Sequence, residues 1–80
     1  TQPNSINLTA HYADQPVWAV VGASNARHKY GNRIYRTLRE AGYRVFAVNH
    51  REATVEGDPA YARVTDLPEP PDVVDLVVPP

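Results

Sequence analysis

The sequence predicts an α/β fold, a parallel sheet with flanking helices, of which these 80 residues make roughly the N-terminal half. Three observations carry that prediction. First, the runs PVWAVVG (Pro16 to Gly22), YRVFAV (Tyr43 to Val48) and DVVDLVV (Asp72 to Val78) are almost continuously apolar and rich in β-branched residues. That is the pattern of strands buried on both faces. Second, a helical repeat separates the first two runs. Third, the link from the first strand to that helix is a loop bounded by Gly22 and Gly31.

Taken in order, residues 1–16 are a polar extension punctuated by Pro3 and Pro16, in which SINLTAHYA, capped by Ser5, forms at most a short helix. The domain itself is expected over 17–80. Its first strand ends where Gly22 interrupts the apolar run. From Gly31 the apolar positions Ile34, Leu38 and Ala41 recur at i, i+4 and i+7 with Tyr35 beside them, and Arg33, Arg36 and Arg39 take the opposite, solvated face. Gly42 follows as the C′ residue, able to take positive φ. Strand, helix and strand within about 30 residues make a right-handed βαβ unit.

Beyond that unit, NHREATVEGDPA reads as a loop with its turn at Gly57-Asp58-Pro59, and YARV (Tyr61 to Val64) as a short edge strand. TDLPEPP holds no more than one helical turn, because its prolines break the pattern. The strand ending at Val78 should lie beside the one ending at Gly22, on the side away from the one ending at Val48. One helix cannot cover both faces of such a sheet, and the last strand keeps an open apolar edge. The expectation is therefore a larger domain, or a minimal one whose edge is covered by a homo-oligomer or a partner domain.

Composition narrows the function classes. There is no cysteine, so disulfides and thiolate metal sites are ruled out, and His11, His28 and His50 lack metal-ligand spacing. No run approaches the roughly 20 apolar residues of a membrane span, and the start lacks a signal-peptide layout. A cytoplasmic location and no membrane partner are the default expectation. The net charge of −1 hides an asymmetry. From Gly22 to Arg51 seven basic residues face Glu40 alone, whereas from Glu52 onward Arg63 faces seven acidic ones. A positive segment centred on a glycine loop favours an anionic small molecule. Nucleic acid fits poorly, since an apolar helix face interrupts the basic residues and no motif of that class is present.

The loop reads Gly22-Ala23-Ser24-Asn25-Ala26-Arg27-His28-Lys29-Tyr30-Gly31. Against the dinucleotide fingerprint G-x-G-x-x-G, the first glycine is in place, Ser24 replaces the second, and the third comes several residues late. No Gly-Lys-Ser/Thr ending marks a P-loop. This is a Rossmann-like phosphate loop other than the standard NAD variant. NAD-binding proteins place an acidic residue at the end of the second strand to hold the ribose hydroxyls. Here that tip is Asn49-His50-Arg51, neutral and basic, which suits an adenosine carrying an additional ribose phosphate. Coenzyme A and NADP both have one.

VVGAS…KYGNRIYRTLREAGYRVFAVNHR…VDLVVPP resembles the CoA-binding domain family, the Rossmann-like domain found alone in small bacterial proteins and at the start of succinyl-CoA synthetase α subunits. The likeness runs from about Val17 to Pro80. It implies that Gly22, Ala23 and Ser24 lie against the CoA phosphates, and that Lys29, Tyr30 and Gly31 form the far side of the loop. By the same likeness Asn49, His50 and Arg51 lie near the adenosine and its 3′-phosphate, and Val78 and Pro79 form the opposite wall. Two positions depart from the family. Proline is common where His50 stands, and a lysine follows it in the synthetases, where this chain has Arg51 and Glu52. Arg51 can take the phosphate role; Glu52 is expected to oppose it.

The reading is a non-catalytic module that holds coenzyme A or an acyl-CoA. A ligase of the synthetase type works through a histidine in a further domain, and no nucleophile, base and orienting group stand together in this sequence. Two alternatives remain: an NAD(P)-binding domain with a regulatory or redox role, in which NADP replaces CoA, and a ligand-free protein-interaction module.

Overall fold

The computed structural model describes residues 16–77. Its elements are β1 (Val17–Val21), α1 (Tyr30–Glu40), β2 (Arg44–Val48), β3 (Thr54–Val55), β4 (Asp58–Tyr61) and β5 (Val73–Leu76), with one 3-10 turn at Val64–Asp66. The helix weighed for SINLTAHYA lies outside the described residues, as do Val78 and Pro79.

The sheet order is β3-β4-β2-β1-β5. β1 pairs in parallel with β2 on one side and with β5 on the other, as the sequence predicts. Asp72 fastens the start of β5: its carboxylate accepts the Val17 N–H at 2.8 Å, and its own N–H donates to the Val17 carbonyl at 2.7 Å. Register sorts the side chains by face. Val20 lies opposite Ala47, which lies opposite Ala60, and this row faces α1. Tyr35 of α1 and Val55 of β3 close on it, with Ile34 and Leu38 packed alongside.

α1 ends as expected. The Gly42 N–H donates to Arg39 O at 3.0 Å and the Tyr43 N–H to Leu38 O at 3.1 Å, a Schellman motif with Gly42 at φ 91°. Its inward face, however, is rotated from the predicted stripe. Asn32 and Tyr35 are buried, Ile34 and Leu38 are half-buried, and Ala41 is exposed. The cause is at the other end of the helix, where its first turn is pressed onto the glycine loop. The arginine face is also not simply solvated. Arg33 is exposed, but Arg36 donates to Asn32 Oδ1 at 2.6 Å, and Arg39 donates to Asp58 at 2.7 Å and to the Glu56 carbonyl at 3.1 Å.

The largest departure lies between β2 and β5. The turn falls at Glu56-Gly57, with φ values of 52° and 83°, rather than at Gly57-Asp58-Pro59. Val55 pairs with Asp58 across it, so β3 and β4 form an antiparallel hairpin with a two-residue turn whose positive φ values match strand twist. β4 begins three residues before the predicted strand and is flanked by β3 and β2, so it is not an edge. Pro59 hid it, because a strand proline costs a ladder hydrogen bond. Here the Ala60 N–H supplies the next one, to Ala53 O at 2.9 Å.

Candidate functional site

The carboxyl ends of four parallel strands meet at one place. The Val77 N–H donates to Val21 O, the Gly22 N–H to Val48 O and the Asn49 N–H to Tyr61 O, each at 2.9 Å. The ladders therefore continue to the strand tips and hold them level. Above them opens a cavity of about 370 Å³ lined by Val21, Gly22, Val48, Asn49, His50, Arg51, Ala62 and Val77. β5 and β2 leave β1 in opposite directions, so this is the switch point at which open α/β sheets bind ligands.

Both loop glycines are required by contact. A Cβ at Gly22 would sit 2.3 Å from the Val77 carbonyl oxygen, and the residue has φ 101°. A Cβ at Gly31 would sit 2.5 Å from the Gly22 carbonyl oxygen. Gly31 thus takes the packing role of the late glycine in the dinucleotide fingerprint, letting the helix start approach the strand end. Lys29 is the N-cap and offers α1 no side-chain cap. The first-turn N–H groups, with the positive end of the helix dipole, point out of the helix toward the loop.

Asparagines secure the back of the loop. Asn49 donates to the Ala23 carbonyl at 2.8 Å, and Asn32, fully buried, donates to the Ser24 carbonyl at 2.6 Å. Asn25 reaches the hairpin, donating to Thr54 O and to Glu52 Oε1, both at 2.8 Å, and accepting the Glu56 N–H at 2.9 Å. Glu56 in turn accepts from Asn32 at 2.9 Å and pairs with Arg27 at 3.3 Å. The Asn32 hydrogen bond, with Arg27 next among the favourable contacts, holds the Glu56 carboxyl below its usual range. Arg39 and then Tyr35 do the same for Asp58, while burial first and Asp58 second push the Tyr35 hydroxyl up. These groups hold the loop to the helix and hairpin, and α1 and β4 to each other.

The predicted site residues divide. Gly22, Asn49, His50 and Arg51 line the cavity, and Ala23 and Gly31 are buried immediately behind it. Ser24 is half-buried; its Oγ accepts the Ala26 N–H at 3.3 Å, the local turn role open to any loop serine. Lys29 is exposed at the helix start, and Tyr30, 67% exposed, lines a separate groove with Trp18, Ile34, Leu38 and Asp75. Glu52 Oε1 accepts a hydrogen bond from Asn25, and no ion pair joins Glu52 to Arg51 among the described residues. The Arg51 and His50 side chains have no ion pair or hydrogen bond among the described residues. Sequence reasoning missed Asn25 and Asn32. The one available signal was a polar Asn32 on the side of the helix that carries Tyr35.

A glycine loop between a parallel strand and a helix, a cavity at the switch point and a basic second-strand tip define a Rossmann-like nucleotide-binding unit. The chain belongs to the CoA-binding domain family, whose sequence profile matches residues 16–80, and that membership assigns coenzyme A as its cofactor. It is 42% identical over 62 residues to the α subunit of the ADP-forming acetate–CoA ligase II of Pyrococcus furiosus, a match spanning 76% of this chain and 14% of that protein. Over 63 residues it is 41% identical to the ADP-forming acetate–CoA ligase I of Archaeoglobus fulgidus, covering 79% of this chain and 9% of the ligase. Two solved structures share the fold. A conserved hypothetical protein of Pyrococcus furiosus superposes with a TM-score of 0.75 at 41% identity, covering 82% of this chain and 57% of the other. A hypothetical protein of Pyrococcus horikoshii gives 0.76 at 33% identity, covering 91% and 51%. The chain thus spans about half the length of those structures and a small fraction of the ligases. Among the described residues no helix is long and apolar enough to cross a membrane, and no group of acidic, histidine or cysteine side chains could hold a metal.

Proposed function

We propose that this chain holds coenzyme A or an acyl-CoA without itself performing chemistry, with the pyrophosphate on the Gly22-Ala23-Ser24 loop and the 3′-phosphate at His50 and Arg51. The observation that carries this reading is the state of the second-strand tip. Arg51 and His50 face the cavity free of partners, and the nearby acidic residue, Glu52, is bound to Asn25. A guanidinium left uncommitted beside a cavity recognises a phosphate in fork geometry. The positive start of α1, without a side-chain cap, lies at the loop and complements the pyrophosphate. The matched segment is 14% and 9% of the two ligases, and in this reading the steps that form an acyl-CoA belong to the remainder of such proteins. A partner domain or second copy would cover the open edge of β5.

Calorimetry on the full natural chain, comparing coenzyme A, dephospho-CoA, NADP and NAD, tests the assignment. CoA should bind at least about tenfold more tightly than dephospho-CoA, a difference of about 1.4 kcal/mol. Equal affinities would remove the role given to Arg51 and His50. Tighter binding of NADP would replace the ligand altogether.

A further inference from the structure

Asn49 reaches the cavity from the tip of β2, where a ligand-contacting residue would be expected, but its side chain is already occupied by protein. Its Nδ2 donates to the Ala23 carbonyl at 2.8 Å, and its Oδ1 accepts the N–H groups of Arg51 at 2.7 Å and Glu52 at 3.2 Å. From α1, Asn32 Nδ2 donates to the next carbonyl of the loop, that of Ser24, at 2.6 Å, and is itself oriented by Arg36 and Glu56. All peptide bonds described are trans, so each N–H points opposite to the carbonyl of the preceding residue. With the Ala23 carbonyl drawn toward β2, the Ser24 N–H points to the side of β1 where β5 runs. With the Ser24 carbonyl held inward by the buried Asn32 side chain, the Asn25 N–H is turned outward, to the open side of the loop. Neither N–H has a partner among the described residues.

We infer that Asn49 and Asn32 are positioning residues of the phosphate loop: by holding two consecutive carbonyls inward they aim the Ser24 and Asn25 N–H groups at the ligand's pyrophosphate. This rests on the CoA reading above and reassigns Asn49 from the adenosine end to the loop. Successive backbone N–H groups turned to one concavity make an anion site, and donors fixed before binding need no reorganisation when the anion arrives. The same Asn49 oxygen sets the turn that carries Arg51, so one side chain ties the pyrophosphate end of the site to the 3′-phosphate end.

The test uses Asn49→Ser in the full natural chain. A serine oxygen can still accept the Arg51 N–H, but it is too short to reach the Ala23 carbonyl. Affinities for CoA and dephospho-CoA are measured beside thermal melting, and backbone amide shifts are followed by NMR as CoA is added to the wild type and the variant. In the wild type the Ser24 and Asn25 amides should move downfield. In the variant both ligands should weaken by the same factor, about fivefold or more, with the two amide shifts diminished. Unchanged affinity would overturn the inference. So would a loss confined to CoA, which would return Asn49 to the 3′-phosphate. Should the variant fail to fold, the wild-type amides decide, and their failure to move on saturation with CoA would overturn it. A wild type that binds no CoA removes the functional reading and this one together, whereas a wild type that binds and an indifferent variant remove this one alone.

Discussion

The two faces of the sheet are built differently. Under α1, Val20, Ala47, Val55 and Tyr35 are at most 2% exposed, and the edge of that core is sealed by polar contacts from Tyr35 and Arg39 to Asp58. On the other face, set by register, lie Ala19, Phe46, Val48, Tyr61, Val74 and Leu76. There Ala19 and Val48 are buried at 0% and 4%, but on the outer strand Val74 is 43% and Leu76 67% exposed, and the Phe46 and Tyr61 rings meet edge to face at 6.0 Å. No helix of the described residues packs on that second face, although the residues themselves are as apolar as those opposite. The difference shows that apolar strands alone do not bury a whole face. A crossover helix with a complementary face does, and it also brings the polar groups that fix a loop.

The contrast can be broken or sharpened by substitution. The largest effect is expected at Tyr35→Ala, which empties the centre of the α1 face and should cost about 4 kcal/mol in denaturant unfolding. A loss under about 1 kcal/mol would mean that this face is not the principal core. Next is Gly22→Ala at the strand tips, where positive φ and the Val77 carbonyl both resist a methyl group. A loss of about 3 kcal/mol, with CoA binding abolished, is expected from melting and calorimetry.

A smaller and separable effect is the dependence on pH. Asp58 and Glu56 are held below their ordinary range in the folded state, so their contribution is present above pH about 4 and is lost as pH falls below it. The Tyr35 hydroxyl is shifted the other way, so its contribution is intact below pH about 10 and is lost as pH rises past it. Tyr35→Phe should remove the alkaline fall, keep the acid one and cost about 1 kcal/mol at neutral pH. An alkaline limb that persists in this variant would have another source. The smallest effect is assigned to the second face. Leu76→Ser should change stability by no more than about 0.5 kcal/mol in these residues, and a large loss would show that Leu76 is covered in the working protein.

The strands, α1, its Gly42 cap and the order of β5, β1 and β2 were legible because each follows from local period, a backbone requirement or crossover handedness. The hairpin was not. Glu56 takes positive φ without the usual Asn or Gly signal, and Pro59 argues against a strand until pairing with Thr54 shows where it fits. Of the residues lining the cavity, Gly22 and the Asn49-His50-Arg51 tip could be placed there from their position at strand ends alone. The roles of Asn25, Asn32 and Glu52 could not, since each acts through a partner 24 or more residues away or across an element boundary: Asn25 with Glu52, Thr54 and Glu56, and Asn32 with Ser24 and Glu56.

By itself, then, the sequence determined that a parallel βαβ unit would end its first strand in a glycine loop beside a basic second-strand tip. Periodicity and the absence of a Cβ are local properties that no distant contact needs to supply. Only the tertiary structure decided which face of α1 is buried, which carboxylates are neutralised and which way the loop peptides point. Those depend on hydrogen bonds between groups far apart in the chain, whose partners exist only once the hairpin has closed against the helix.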